Sequence, residues 1–303
     1  MKILSTVGGG VRGYASALWW DALEKKIGVS LGSVADLTAG TSVGSIVSAG
    51  QAHGLPMWDI ANLLKAWGPH VFKGAGSRLL SRLLAGKLLA SRPKHNPEFL
   101  RAALEHAFGS VSLGSLPVRS LICAYDAANA EFCAIRSWRG EWATLSVIDA
   151  LLASSAAPGY FPAHVIGERA LIDGGVAAND PSLCAVASAL ADGTPLADIK
   201  LIAVSAGAPP VPESADALQE WGLLEWAPHI LTTVFDAQIQ TTSRLLKFLI
   251  PEENQVRVHI PISGVDLDEA TSGAFLAQDR AVSTLLATPE GAADLVRAAD
   301  LLR

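Results

Sequence analysis

The sequence predicts an α/β fold, a three-layer α/β/α sandwich built on a mostly parallel central sheet. Short apolar runs of strand length alternate with helical stretches along the chain, and the first two runs end in glycine turns that lead into helices. Strands that alternate with helices form parallel sheets with helices on both faces. With 303 residues, half of them hydrophobic and 17% charged, the chain can bury a large core.

The predicted elements begin with two units of strand, turn and helix. The first helix carries apolar side chains at helical spacing with charged side chains opposite, as a helix with one buried face requires. These units comprise a strand at 3–7, a helix at 14–27, a strand at 34–39, a tight turn at 40–44 and a helix at 45–53. Three further apolar strands are predicted at 120–125, 169–173 and 199–205.

Composition and charge argue against several classes of protein. The formal net charge is −6 and the pI is near 5.6, which disfavours a protein that binds nucleic acid by neutralising phosphates. Cys123, Cys133 and Cys184 are too few and too scattered for a disulfide framework, and no histidine or cysteine has metal-ligand spacing. Because the chain has neither a signal sequence nor about 18 successive apolar residues, we expect a cytoplasmic protein.

A glycine-rich loop, Gly8-Gly9-Gly10-Val11-Arg12-Gly13, connects the first strand to the first helix. It matches the G-x-G-x-x-G dinucleotide fingerprint, and Asp36 follows at about the distance of a ribose-binding acid. However, Asp36 lies near the beginning of the second predicted strand, whereas a ribose-binding acid follows the end of that strand. The other interpretation is that uncovered backbone amides at the start of a helix bind an oxyanion.

The second turn, Gly40-Thr41-Ser42-Val43-Gly44, matches the G-x-S-x-G nucleophile elbow in its strand-turn-helix context. Ser42 would occupy a sharp, strained turn that exposes its hydroxyl. Small residues are needed on both sides, since a bulky side chain at Gly40 or Gly44 would clash with the adjoining strand or helix. We therefore predict that Ser42 is a nucleophile.

The general base that would activate Ser42 is predicted to be a carboxylate rather than an imidazole. His229 and His259 follow the elbow, but neither has a catalytic-looking neighbourhood, and we interpret both as structural. Asp173 ends an apolar strand and precedes two glycines, which also fits an ordinary Asp-Gly turn. If that strand is parallel to the others, Asp173 and Ser42 share one edge of the sheet. Partial burial would then raise the pKa of Asp173 enough for it to act as a base.

Together with Ala153–Pro162, which contains A-x-S-A-A-P, these motifs resemble the patatin-like phospholipases. The resemblance covers residues 3 to about 206 and implies a catalytic core at 1–206, with 207–303 a C-terminal part of the same domain. It implies that Ser42 is the nucleophile and Asp173 the base. It also implies an oxyanion hole in the loop of Gly8, Gly9, Gly10, Arg12 and Gly13, with the amides of Gly9 and Gly10 as donors.

The implied reaction is hydrolysis of fatty-acyl esters of glycerophospholipids, of phospholipase A or lysophospholipase type, through an acyl-enzyme and without a cofactor. One departure from the family pattern is Val7, which stands where an acidic residue commonly precedes the glycines. Acyl transfer to an acceptor other than water stays open. An alternative from another class is a nucleotide-binding regulatory module that uses the glycine loop for phosphate.

Two partners besides the phospholipid substrate are suggested. Residues 73–94 form a basic stretch without acidic residues, in which leucines recur at helical spacing. Such a helix either docks on anionic lipid or packs its leucines against the protein body. The short bacterial proteins that the chain resembles include phospholipase effectors switched on by cyclic nucleotides in phage defence, which suggests a cyclic-nucleotide activator and a regulated effector at the inner membrane surface.

Overall fold

The computed structural model describes residues 1–72, 93–207, 214–226 and 229–303. Within these ranges the chain forms an eight-stranded mixed sheet in which strands are paired in the order β5-β6-β3-β2-β1-β7-β8, with β4 on β3. The strands are β1 (Lys2–Thr6), β2 (Leu37–Thr41), β3 (Arg119–Asp126), β4 (Glu131–Arg136), β5 (His164–Ile166), β6 (Arg169–Asp173), β7 (Lys200–Gly207) and β8 (Gln255–Pro261).

Helices cover both faces of the sheet. In the described residues they are α1 (Gly13–Ile27), α2 (Val43–His53), α3 (Met57–Val71), α4 (Glu98–Phe108), α5 (Gly140–Ala143), α6 (Val147–Ser154), α7 (Gly175–Ala178), α8 (Ser182–Ala191), α9 (Ala215–Gln219), α10 (Leu223–Trp226), α11 (Ile230–Leu249), α12 (Ser272–Ala287) and α13 (Pro289–Leu302).

The described residues form two hydrophobic cores, one on each face of the sheet, which make the fold a three-layer sandwich. Leu4 and Ile122 belong to the larger core, whereas Ile3 and Leu121, their neighbours in β1 and β3, belong to the smaller one. Successive side chains of a strand point to opposite faces, so a strand that is buried on both sides supplies both cores. The predicted α/β fold is confirmed.

The boundaries of the second unit differ from the prediction. The second strand runs from Leu37 to Thr41 rather than over 34–39, because Gly40 and Thr41 still pair with β1 and β3. The following helix begins at Val43, so the turn narrows to Ser42. Strands β4, β5 and β8 were not predicted. β5 has only three residues, which is too short for a periodic pattern.

The prediction that Asp173 ends a parallel strand is wrong, because β6 runs antiparallel to β3. β4 occupies one edge of β3 from Leu121 to Asp126, so β6 uses the other edge, on which β2 already pairs as far as Cys123. β6 therefore continues the line of β2 and meets it end to end. Thr41 pairs with Cys123, and Asp173 pairs with the next residue, Ala124.

The C-terminal third extends the same sheet. β8 pairs in parallel with β7, and α11 and α12 both contain residues that contribute to the cores. The division of the domain into a catalytic core and a C-terminal part at residue 206 stays a prediction.

The predicted basic helix at 73–94 lies outside the described residues, apart from its last two residues. Among the helices that the structure describes, none combines the length and apolar character needed to span a bilayer.

Candidate active site

Ser42 lies on a strained turn between β2 and α2. Its φ of 55° and ψ of −131° are rare for a residue with a side chain, and such strain persists only where the surroundings enforce it. The Ser42 N–H donates to Ser154 Oγ at 2.9 Å, and Ser154 Oγ donates in turn to the Cys123 carbonyl at 2.7 Å. A serine of the A-x-S-A-A-P segment thus connects the turn to β3.

The glycines on either side of Ser42 are closely packed. A Cβ at Gly40 would lie 2.3 Å from Ser48 Oγ, and a Cβ at Gly44 would lie 2.2 Å from the Thr6 carbonyl oxygen. Gly13 of the glycine loop likewise faces Val43, at 2.4 Å. Because α2 leaves the turn against β1 and the glycine loop, only glycine fits at these three positions.

Asp173 is buried, with 0% of its surface exposed. Its N–H donates to the Ala156 carbonyl at 3.0 Å, and its Oδ1 accepts from the Gly175 N–H at 2.7 Å. Burial raises the pKa of the carboxyl from 3.8 to about 7, although the Gly175 N–H and the Ser42 hydroxyl each lower it. This buried carboxyl can therefore take up and release a proton near neutral pH.

Ser42 and Asp173 are neighbours although 131 positions separate them in the chain. The end-to-end arrangement of β2 and β6 brings them together, and Ser154 and Ala156 hold their backbones. The Ser42 hydroxyl faces the carboxyl without completing a hydrogen bond of standard geometry, and Asp173 Oδ2 has no partner among the described residues. An unoccupied carboxylate oxygen beside a hydroxyl is suited to accept its proton.

Two backbone amides of the glycine loop have no acceptor in the described part of the chain. The Gly8 N–H donates to the Asn179 carbonyl at 3.1 Å, so it is not available as an oxyanion donor. Among the described residues, the N–H groups of Gly9 and Gly10 donate to no protein acceptor. Arg12 Nε donates to the Gly9 carbonyl at 3.2 Å and thereby holds the loop.

The conformation of Gly10 excludes side chains. Its φ is +58°, and a Cβ there would lie 2.2 Å from the Leu267 carbonyl oxygen. The same Leu267 carbonyl accepts the Val11 N–H at 2.8 Å. The segment after β8 thus fixes the middle of the loop, and the start of α1 follows directly at Gly13.

One cavity, of about 90 Å³, is lined by Gly10, Ser42 and Asp173. Apolar side chains of α2, α3, α4 and the segment before β5 form most of its remaining wall, and they include Ile46, Leu63, Trp67, Val71, Leu104 and Phe161. Such a wall suits an alkyl chain, and its described side chains give a phosphate no cationic partner. The cavity therefore favours an ester of a fatty acid over a nucleotide as the ligand.

Other residues considered from the sequence lie elsewhere. Asp36 accepts the Lys2 N–H at 2.7 Å, at the opposite end of the sheet from the glycine loop, which excludes it as a ribose ligand. His259 Nδ1 lies 3.0 Å from Ser205 Oγ, and His229 stacks on Trp221. No histidine is among the described residues that line the cavity.

Asn179 and Gln238 are the site-supporting residues that the sequence did not reveal. Asn179 holds Gly8 through its backbone carbonyl and through its side-chain amide, which donates to the Gly8 carbonyl at 3.4 Å. The Asn179 N–H donates to Gln238 Oε1 of α11 at 2.7 Å. The signal for Asn179 was the Asn179-Asp180-Pro181 turn after the D-G-G motif. Nothing in the local sequence distinguishes Gln238 from other helical glutamines.

The family model described as patatin-like phospholipase matches residues 4–185, which is more than half of the chain. The chain belongs to the patatin-like phospholipase family. The predicted class of enzyme, a lipid acyl hydrolase, is therefore confirmed. The matched region contains the glycine loop, the elbow, the A-x-S-A-A-P segment and Asp173, and it ends within α8.

Related proteins come from bacteria and plants. The chain is 27% identical to the cGAMP-activated phospholipase of Pseudomonas aeruginosa strain BWHPSA011 over 81% of this chain and 74% of that protein. It is 28% identical to Patatin-like protein 4 of Arabidopsis thaliana over 85% of this chain and 75% of the plant protein. Patatin-like protein 2 of rice (Oryza sativa subsp. indica) is 29% identical over 61% of this chain. The alignment covers 52% of the rice protein, so this chain spans about half of that relative.

The fold is also similar to that of a solved structure. VipD from Legionella pneumophila superimposes with a TM-score of 0.50 over 99% of this chain and 66% of that protein, at 13% identity. At this level of identity the similarity concerns the fold alone, and it agrees with the patatin-like architecture described above.

Proposed function

We propose that this protein hydrolyses fatty-acyl esters of glycerophospholipids or lysophospholipids, with Ser42 as nucleophile and Asp173 as general base. One observation carries the proposal. A strained serine and a buried carboxyl with a pKa of about 7 line one apolar cavity, beside the amides of Gly9 and Gly10, for which the described residues supply no acceptor. Nucleophile, base, oxyanion donors and acyl site are what ester hydrolysis by a serine dyad requires.

The proposed reaction passes through an acyl-enzyme. Ser42 Oγ attacks the ester carbonyl carbon while Asp173 takes its proton, and the Gly9 and Gly10 amides donate to the resulting oxyanion. As the carbon–oxygen bond of the ester breaks, Asp173 returns the proton to the departing alcohol. Water then attacks the acyl-serine, Asp173 accepts its proton, and the Ser42 oxygen leaves with that proton as the fatty acid is released.

A fluorophosphonate probe with mass-spectrometric location of the adduct tests the nucleophile. We expect a single adduct on Ser42, and loss of both adduct and ester hydrolysis in Ser42→Ala. Ser48→Ala is the matched control, because Ser48 lies on α2, the helix that follows Ser42, but its hydroxyl donates to the Ser45 carbonyl at 3.1 Å. An adduct at another serine, or full hydrolysis by Ser42→Ala, would disprove the assignment.

Regulation by a cyclic nucleotide is part of the proposal. Its support is the name of the Pseudomonas relative, a cGAMP-activated phospholipase that aligns with 81% of this chain. The test is the rate of fluorophosphonate labelling with cGAMP, compared with an equal concentration of AMP and GMP. A rate that rises only with cGAMP supports activation, and equal rates contradict it.

The last part of the proposed function is peripheral contact with a lipid bilayer. An enzyme of this class acts on substrates held in a bilayer, and the described helices contain no candidate span. We propose that it works from the cytoplasmic side, with the basic stretch 73–94 as the contact. Co-sedimentation with vesicles should rise with the fraction of anionic lipid, and equal binding to neutral vesicles would contradict this contact.

A further inference from the structure

The side-chain amide of Gln238, on α11, holds both ends of the short helix α7. Gln238 Oε1 accepts the Asn179 N–H at 2.7 Å, directly after the end of α7. Gln238 Nε2 donates to the Val176 carbonyl at 2.9 Å, near its beginning. One glutamine therefore uses its donor and its acceptor on a four-residue helix, which is too short to be stable alone.

This short helix connects the two halves of the candidate site. At its beginning the Gly175 N–H donates to Asp173 Oδ1 at 2.7 Å. At its end Asn179 accepts the Gly8 N–H at 3.1 Å and donates to the Gly8 carbonyl. The position of α7 thus sets where the carboxyl lies relative to the glycine loop.

Phe235, one turn before Gln238 on α11, also packs against α7. It lines the cavity, and a Cβ at Gly175 would lie 2.7 Å from its ring. Phe235 is buried, whereas Gln238 is half-buried. α11 therefore faces α7 with the apolar ring of Phe235 and the bidentate amide of Gln238, and the amide supplies the directional part of the contact.

We propose that Gln238 is a positioning residue, which sets the distance between the Asp173 carboxyl and the amides of Gly9 and Gly10 through α7. The inference rests on the proposed function. Without the two hydrogen bonds, α7 can shift, and the base and the oxyanion donors lose their common geometry. Misplacement of reacting groups by about 1 Å can cost on the order of 10²-fold in rate.

Loss of the two Gln238 hydrogen bonds should lower turnover rather than weaken substrate binding. The apolar wall of the cavity comes mainly from α2, α3 and α4, none of which contacts Gln238 through a hydrogen bond. We expect Gln238→Met, which keeps the length of the side chain but removes its polar atoms, to lower kcat by about 10- to 100-fold. KM for a soluble short-chain ester should stay within about twofold of the wild-type value.

Gln240→Met is the matched control. Gln240 lies on the same helix, is exposed, and donates to Asp236 of its own helix at 2.8 Å. It should keep the wild-type kcat and KM. A wild-type kcat in Gln238→Met, or an equal loss in both variants, would overturn the proposal. Ser42→Ala is assayed beside them: if it retains activity, the proposed function fails, whereas an inactive Ser42→Ala with an active Gln238→Met refutes only the role of Gln238.

A second variant covers the case in which Gln238→Met folds poorly. In Gln238→Glu, a protonated carboxyl can accept from the Asn179 N–H and donate to the Val176 carbonyl, whereas an ionised carboxylate cannot donate. The ratio of its kcat to the wild-type kcat should therefore rise as the pH falls from 8 to 5. Titration of Asp173 is common to both enzymes and largely divides out. A ratio that does not change with pH would contradict the positioning role.

Discussion

Replacing Asp173 by Asn should stabilise the protein, and the gain should grow with pH. Folding raises the pKa of this carboxyl from 3.8 to about 7, mainly through burial. The folded state therefore holds this proton more tightly than the unfolded state, and the contribution of Asp173 to stability is lost as the pH rises from about 4 to about 7. At about 1.4 kcal/mol per pH unit, the loss is on the order of 4 kcal/mol.

Asn has the shape of Asp, its Oδ1 can still accept the Gly175 N–H, and it carries no charge. We expect Asp173→Asn to be nearly as stable as wild type at pH 4 and more stable by on the order of 4 kcal/mol at pH 8. Urea unfolding at pH 4, 6, 7 and 8, followed by tryptophan fluorescence, measures the difference between the two free energies of unfolding.

Asp126→Asn is a control for which the stability difference from wild type should change with pH in the opposite direction. Hydrogen bonds lower the pKa of Asp126, the largest contribution coming from the Asn129 side-chain amide at 2.7 Å. Its carboxylate therefore stabilises the fold above the pKa of the unfolded chain, and this variant should lose stability relative to wild type as the pH rises. A stability difference between Asp173→Asn and wild type that is independent of pH, or a variant less stable than wild type at pH 8, would refute the reasoning.

Three further results are expected. The value of kcat/KM should rise about tenfold per pH unit up to a pH of about 7 and then level off, because Asp173 must lose its proton to act as a base. A kcat/KM that stays constant down to pH 5 would contradict this. Gly10→Ala should lower kcat by about 10²–10³, whereas Gly28→Ala, with a φ of +77° but open space, should keep it in the same assay. Arg257→Met should lower the free energy of unfolding by about 3–5 kcal/mol in urea titrations, since it leaves the buried charge of Asp180 unpaired; a loss under 1 kcal/mol would show that the pair is not needed.

The glycine loop and the elbow could be predicted because their chemistry is local. Oxyanion-binding amides at the start of a helix, and a serine on a strained turn between close-packed glycines, depend on a few successive residues. The same holds for the strand-to-helix units around them, whose apolar spacing is visible in any short window. Residues 8–13 accordingly connect β1 to α1, and Ser42 lies between β2 and α2, although the turn around it is shorter than the predicted 40–44.

Asp173 lies beside Ser42, but the parallel strand on which that expectation rested is absent from the described sheet. An apolar strand that ends in Asp173 has the same composition whether it runs parallel or antiparallel to β3. The place where β6 pairs depends on which stretch of β3 is free after β2 and β4 have paired, and its direction depends on how the chain approaches that stretch. Backbone hydrogen bonds do not distinguish side chains, so no local pattern records this choice.

The sequence by itself determined the class of fold, the glycine loop, the strained turn at Ser42 and the family, because periodicity, glycine conformation and motif spacing are properties of neighbouring residues. Only the tertiary structure decided that β6 meets β2 end to end, that burial brings the pKa of Asp173 to about 7, and that Gln238 supports the loop from α11. These features arise from contacts between segments far apart in the chain, whose geometry exists only once the whole sheet and its helices have packed.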